Sequence, residues 1–259
     1  MTSLEAPQAL HFSDGSAIRR VHREGVLLLG GPRALLMQLA HPGVAQGVAE
    51  HSAFQTDRLG RLLRTLRLTL AMAFGSPRRA EDAARSIRRR HTTVAGAGYD
   101  ASDPDLLLWV WATLVDTSLE MQARFLGPLA PAEAEAYLDD MRRIGEALGI
   151  PPSRLPPDVS SFHVYVESAI SRLEVSPTGR RLASEVFESA PALRPAMLAL
   201  RAFTAATLPP RLRDALGLQP PRLTTLLLSA VEPASRAVLP RLPLRLRRTP
   251  SFLLPPRDV

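Results

Sequence analysis

The chain has 259 residues, 46% of them hydrophobic and 22% charged, a balance that predicts a globular protein with a sizeable core and excludes a disordered polymer. It has no cysteine, and its 32 basic residues are all arginine, which excludes disulfides, iron–sulfur or thiolate-haem ligation, a cysteine nucleophile and lysine Schiff-base chemistry. The net charge of +7 could suit nucleic acid, but the arginines are scattered and only 5% of residues are aromatic, so no nucleic-acid partner is expected. The longest near-continuous apolar run, residues 106–115 with Thr113 within it, is about half the ~20 residues a membrane span needs. The first residues carry neither a basic nor an apolar leader, so the cytoplasm is the expected location.

In chain order, residues 1–17 read as a lead-in whose Ser13-Asp14-Gly15-Ser16 supplies a cap for a helix from Ile18. Val26 to Leu29 could form a short buried strand before Gly30-Gly31-Pro32 starts a helix that His41-Pro42 ends or kinks. Val44, Val48 and His51 resume the helical period, and Arg58 to Phe74 forms a long helix with Leu59, Leu62, Leu63, Leu66, Leu70 and Phe74 on one face. A helix from about Arg78 to Ala95 follows. Asp103-Pro104 then caps another, with Leu107, Trp111, Leu114, Ser118, Met121 and Phe125 on its stripe, ended by Gly127-Pro128.

Further helices are expected from Pro131 to Leu148, Val159 to Glu174, Thr178 to Phe187 and Arg194 to Ala206, with a shorter piece from Leu223 to Leu228. No alternating strand pattern of useful length occurs. The fold class is therefore all-α: a single domain of about ten helices over residues 18–232, with 1–17 and 233–259 as partly irregular extensions.

Familiar catalytic signatures are missing: no phosphate-binding loop, no dinucleotide fingerprint, no His-Glu-x-x-His and no Gly-x-Ser-x-Gly. Glu133, Glu135, Asp139 and Asp140 read as a solvated helix face. His41, His51, His91 and His163 all fall in apolar stretches. Among them His91 stands out, because Arg88, His91 and Thr92 lie at i, i+3 and i+4 and share one helix face. Arg88 can be read as a buried cation that seeks an anion, or as part of the charged surface made by Arg85, Arg88, Arg89 and Arg90. Chemistry alone leaves both open.

The stretch from Leu27 through Gly30-Gly-Pro-Arg33 to His41-Pro-Gly and Glu50-His51-Ser resembles the bacterial MpaB-type oxygenase family, which includes the rubber oxygenases called latex-clearing proteins. Gly60-Arg-Leu-Leu-Arg-Thr, Phe74-Gly, Arg88-x-x-His91-x-x-Val94-x-Gly96, Asp103-Pro-Asp-Leu-Leu-Leu-Trp-Val and Phe125-x-Gly-Pro-Leu extend the likeness. The resemblance implies a globin-like helical core, haem b as cofactor and O2-dependent cleavage of an apolar, isoprenoid or lipid-like substrate. It also implies Arg88, His91 and Thr92 as catalytic residues, with Arg88, His91 and Trp111 around the cofactor.

The family pattern Leu-Trp-Val-His-Ala, whose histidine binds the iron, reads Leu108-Trp109-Val110-Trp111-Ala112 here. An indole N–H only donates, so Trp111 cannot replace imidazole on iron. Three outcomes follow. His91 takes over as metal ligand, Trp111 fills the cavity and no haem binds, or the site holds another apolar molecule. The first is an oxygenase; the others describe a non-catalytic binding or scaffold protein. Peripheral membrane contact through Arg236, Arg241, Arg245, Arg247 and Arg248 ranks below these, since prolines 233, 240 and 243 oppose one long amphipathic helix.

Overall fold

The computed structural model describes residues 10–51, 58–188 and 190–255, with side chains of residues 58–63 outside that description. The side chains of Leu59, Leu62 and Leu63 on the expected apolar face therefore lie outside the description, as do residues 1–9 of the lead-in and 256–259 of the tail. Thirteen α-helices appear among the described residues: α1 (Ala17–His22), α2 (Gly31–Leu39), α3 (Pro42–His51), α4 (Arg58–Phe74), α5 (Pro77–His91), α6 (Pro104–Phe125), α7 (Pro131–Ala147), α8 (Val159–Arg172), α9 (Pro177–Glu185), α10 (Arg194–Thr207), α11 (Pro210–Ala215), α12 (Arg222–Val238) and α13 (Leu244–Arg247). The class is all-α.

The helix α6 organises the rest. Asp103 caps it by accepting a hydrogen bond from the Asp105 backbone N–H at 2.8 Å, and Pro104 occupies the first turn, where its missing N–H costs nothing. Gly127, at φ +98, lets the chain reverse after its last turn. Buried residues occur around the whole middle of α6, the pattern of a helix enclosed on every side. Trp111 faces one apolar cluster, built with α1, α4, α5, α7 and α8. Trp109 faces a second, built with α2, α3, α9, α10 and α11. The two indoles thus anchor opposite halves of the molecule to one helix.

Val26 to Leu29 is a 3-10 helix, Gly25–Gly30, and not the strand expected. Among the described residues no strand lies beside it to satisfy its backbone, whereas a tight local turn satisfies it internally. The turn crosses α6 at Gly30, where a Cβ would lie 2.5 Å from Thr117 Cγ2 and 2.8 Å from Met121 Cγ. A two-residue hairpin, β1 (Ala95–Gly96) with β2 (Tyr99–Asp100), occupies the end of the stretch read as helix to Ala95. Gly98, at φ +82, makes its turn, and strands this short carry no alternation to read.

The stretch after Leu223 also differs from expectation. α12 continues through Pro233 to Val238, because the proline sits on the exposed side and the carbonyl it leaves free can be hydrated. Beyond it the chain returns to the N-terminal end: the Thr249 N–H donates to the Arg23 carbonyl at 2.6 Å and its hydroxyl to the His22 carbonyl at 2.8 Å. Arg247 pairs with the buried carboxylate of Glu24. Among the described residues, no helix is long and apolar enough to cross a membrane.

Candidate functional site

Trp111 is 1% exposed. Its indole N–H donates to the Met141 carbonyl of α7 at 2.8 Å, and its ring meets Phe162 of α8 edge-on, centroids 5.8 Å apart at 89°. The absence of a side chain at Gly145 makes room for it; a Cβ there would stand 3.3 Å from the indole nitrogen and 3.0 Å from Leu155 Cδ2. An iron porphyrin needs an axial donor and an open slot beside it. Here the ring nitrogen offers only a proton, that proton is already committed to a carbonyl, and α7 and α8 occupy the space around the ring. The residues at Trp111 do not fit a haem.

The expected partners on α5 lie elsewhere in character. Arg88 is exposed, and its guanidinium donates to the Ala147 carbonyl in the last turn of α7, where a cation also meets the negative end of the helix dipole. Of the two readings of Arg88, this geometry matches the surface one. Thr92 is exposed as the C-cap of α5, its hydroxyl donating back to the Arg89 carbonyl at 2.9 Å. His91 is partly buried, its Nδ1 enclosed and without a hydrogen-bond partner, and burial lowers its pKa. The imidazole is therefore neutral near pH 7.

The other histidines divide. His51 and His163 are exposed, contrary to the apolar surroundings their sequence neighbours suggest, because each sits on the outward side of its helix. His41 is partly buried, with its pKa lowered by desolvation and raised in part by Asp103. Among the described residues no group of three or more histidine and carboxylate side chains gathers to hold a metal ion.

Three polar residues absent from the sequence-level candidates are built more deliberately. Arg33, 3% exposed, donates through Nε to the Thr207 carbonyl at 2.8 Å and through Nη1 to Thr117 Oγ1 at 2.7 Å, with Asp116 Oδ2 also at 2.8 Å. It ties α2, α6 and α10 together, and every contact is internal. His22 shares a 3.0 Å hydrogen bond with the Tyr137 hydroxyl; burial lowers its pKa to about 4 and pushes the Tyr137 phenol upward. Glu24 keeps one carboxylate oxygen, Oε2, buried without a hydrogen-bond partner. The sequence signal for Arg33 was its place beside Pro32 at the start of an apolar helix; Glu24 offered none.

Glu24 and Arg247 stand between two adjoining cavities. One, of about 190 Å³, has mixed walls, with Arg20, Arg23, Gln122 and Glu133 beside Val21, Leu126 and Leu129. The other, of about 320 Å³, is lined by Val26, Leu28, Leu126, Leu239 and Leu246, with Arg248 at its side. Ligand pockets run from roughly 300 to 1,000 Å³, and the second lies at the small end of that range.

Comparison with known proteins gives the family context. The uncharacterized protein Mb2261 of Mycobacterium bovis and the uncharacterized protein Rv2237 of Mycobacterium tuberculosis are each 32% identical over 151 residues, 54% of this chain. The alignment spans 59% of the length of each of these curated relatives. No solved structure matches the chain significantly. A family model matches residues 18–252, which take in α6, all of the cavity-lining residues but Ala17, and the returning tail through Phe252. The chain belongs to the family described as ER-bound oxygenase mpaB/B'/rubber oxygenase, catalytic domain.

Proposed function

We propose that this chain is a member of the oxygenase family in which the cofactor position has become structural core, and that it works as a non-catalytic binding protein for a small apolar or amphipathic molecule. The observation that carries this reading is Trp111, closed against α7 and α8 with its only polar atom bonded to Met141. The ligand would occupy the cavity lined by Val26, Leu28, Leu126, Leu239 and Leu246.

Titration of the purified protein with haem tests the first half by absorption spectroscopy. The expected result is a spectrum that stays that of free haem, with no gain in thermal stability. The second half is tested by fluorescence of an apolar dye, with enhancement in the wild type that Leu126→Arg removes. A second reading, a haem-dependent oxygenase with His91 on the iron, draws support from the enclosed and unpartnered Nδ1 of that residue. A Soret band that appears on haem addition and disappears in His91→Ala would establish it and overturn the proposal.

A further inference from the structure

The exterior of α12 is unlike the rest of the surface. Leu223, Leu226, Leu227, Val231 and Val238 are each 49–67% exposed, and no residue of this 17-residue helix is buried. At 100° per residue these five side chains, with Ala230 and Ala234 between them, fall on one continuous stripe. The side chains that face α6 and the following turn, Thr224, Leu228, Glu232 and Ser235, lie on the other side and are partly buried. The stripe is therefore additional to the apolar contact that holds the helix in place. Leu193 and Leu198 at the start of the neighbouring α10, and Leu246 on α13, are exposed as well.

The segment that carries this surface is strongly basic. Residues 190–255 contain ten arginines against one aspartate and one glutamate. Both acids are already engaged: Asp214 with Arg213 and Gln219, and Glu232 with Arg124 and Arg236. Arg194, Arg201, Arg211, Arg222 and Arg245 are exposed and make no ion pair among the described residues. Such a surface has two needs, an apolar phase for the stripe and anions for its flanks. A second copy docked on the same stripe would answer only the first, because it would bring unpaired arginines of both copies to one contact.

We propose that α12, flanked by α10 and α13, is a docking surface for an anionic lipid membrane. The helix lies in the plane of the interface, with Leu223, Leu226, Leu227 and Val231 among the acyl chains and the free arginines at the level of the lipid phosphates. A leucine-rich stripe with arginine flanks is the pattern of an interfacial helix, and arginine forks match phosphate oxygens. Since no described helix is suited to spanning, the contact is peripheral and reversible.

The test uses the full chain with sedimented vesicles of phosphatidylcholine alone or mixed with phosphatidylglycerol. The wild type is expected to pellet with the anionic vesicles and to stay in solution with the neutral ones, with binding weakened by salt. Leu226→Asp/Leu227→Asp should lower the partition coefficient about tenfold or more. Arg222→Gln/Arg245→Gln should lower it less and reduce the salt dependence. A separate Leu223→Trp variant reports insertion directly, because its fluorescence shifts to the blue on vesicles whereas Trp109 and Trp111 are already buried. Three results would overturn the proposal: no pelleting with anionic vesicles, equal pelleting of the Leu226/Leu227 variant, or a dimer in sedimentation velocity that this variant abolishes. The last would assign the stripe to a second copy. Should the double aspartate variant lose its helical circular dichroism, the Leu223→Trp shift alone decides, and its absence counts against the membrane.

Discussion

Truncating Trp111 to alanine is the most direct probe of whether residue 111 is core or a blocked cofactor site. A tryptophan side chain buries about 150–250 Å², and here almost all of it is covered. Allowing for the alanine that remains, about 150 Å² of apolar area at ~25 cal/mol per Å² gives roughly 3–4 kcal/mol. The edge-on contact with Phe162 and the hydrogen bond to Met141 add about 1 kcal/mol. The expected loss is therefore about 4–5 kcal/mol, a large share of the ~5–15 kcal/mol that holds a domain together. Urea unfolding followed by far-ultraviolet circular dichroism measures it, with the slope of the transition unchanged. Trp111→Phe, which keeps most of the area and loses the donor, should cost only about 1–2 kcal/mol. A loss below about 1 kcal/mol for Trp111→Ala would refute the reasoning, because it would mean that the ring covers a space the fold tolerates empty.

Other expectations rest on the same geometry. Arg33→Ala leaves the Thr117 hydroxyl and Thr207 carbonyl without their partner and strands Asp116 in a mostly buried position, so chemical denaturation should show a loss of about 3–5 kcal/mol; Arg33→Met should recover part of it through packing. His22 has a folded pKa near 4 against 6.5 unfolded, so its neutral form is the one the fold accommodates. Its contribution is complete above about pH 6.5 and is lost as pH falls toward 4, by about 2–3 kcal/mol; His22→Gln should flatten the pH dependence of Tm in that window, and an unaltered profile would remove His22 from the account. Gly30→Ala forces a methyl into Thr117 and Met121 and should destabilise by about 2 kcal/mol or more, with no effect if the crossing can simply widen.

The separate fates of α6 and α5 show what kind of information each level carries. The α6 boundaries, the cap at Asp103, the stop after Phe125 and the burial of Trp111 were all legible, because a cap, a proline, a glycine and an apolar period act within a few residues of one another. The spacing of Arg88, His91 and Thr92 was legible in the same way. Their surroundings were not: whether Arg88 meets an anion or a carbonyl depends on where the end of α7 lies, 59 residues along the chain. Glu24 and Arg247, 223 residues apart, left no local trace of the cavities they divide.

The sequence by itself determined the helical class, most of the helix limits, the family likeness that residues 18–252 bear out and the chemical fact that residue 111 cannot ligate iron. Each of these follows from short-range patterns or from what a side chain can donate and accept. Only the tertiary structure decided that Trp111 is closed by Met141, Gly145 and Phe162, that Arg33 is the buried cation at the junction of three helices, and that α12 presents a leucine face to the outside. Those outcomes depend on which helix packs against which, and an apolar stripe reads the same in sequence whether a neighbouring helix covers it or not.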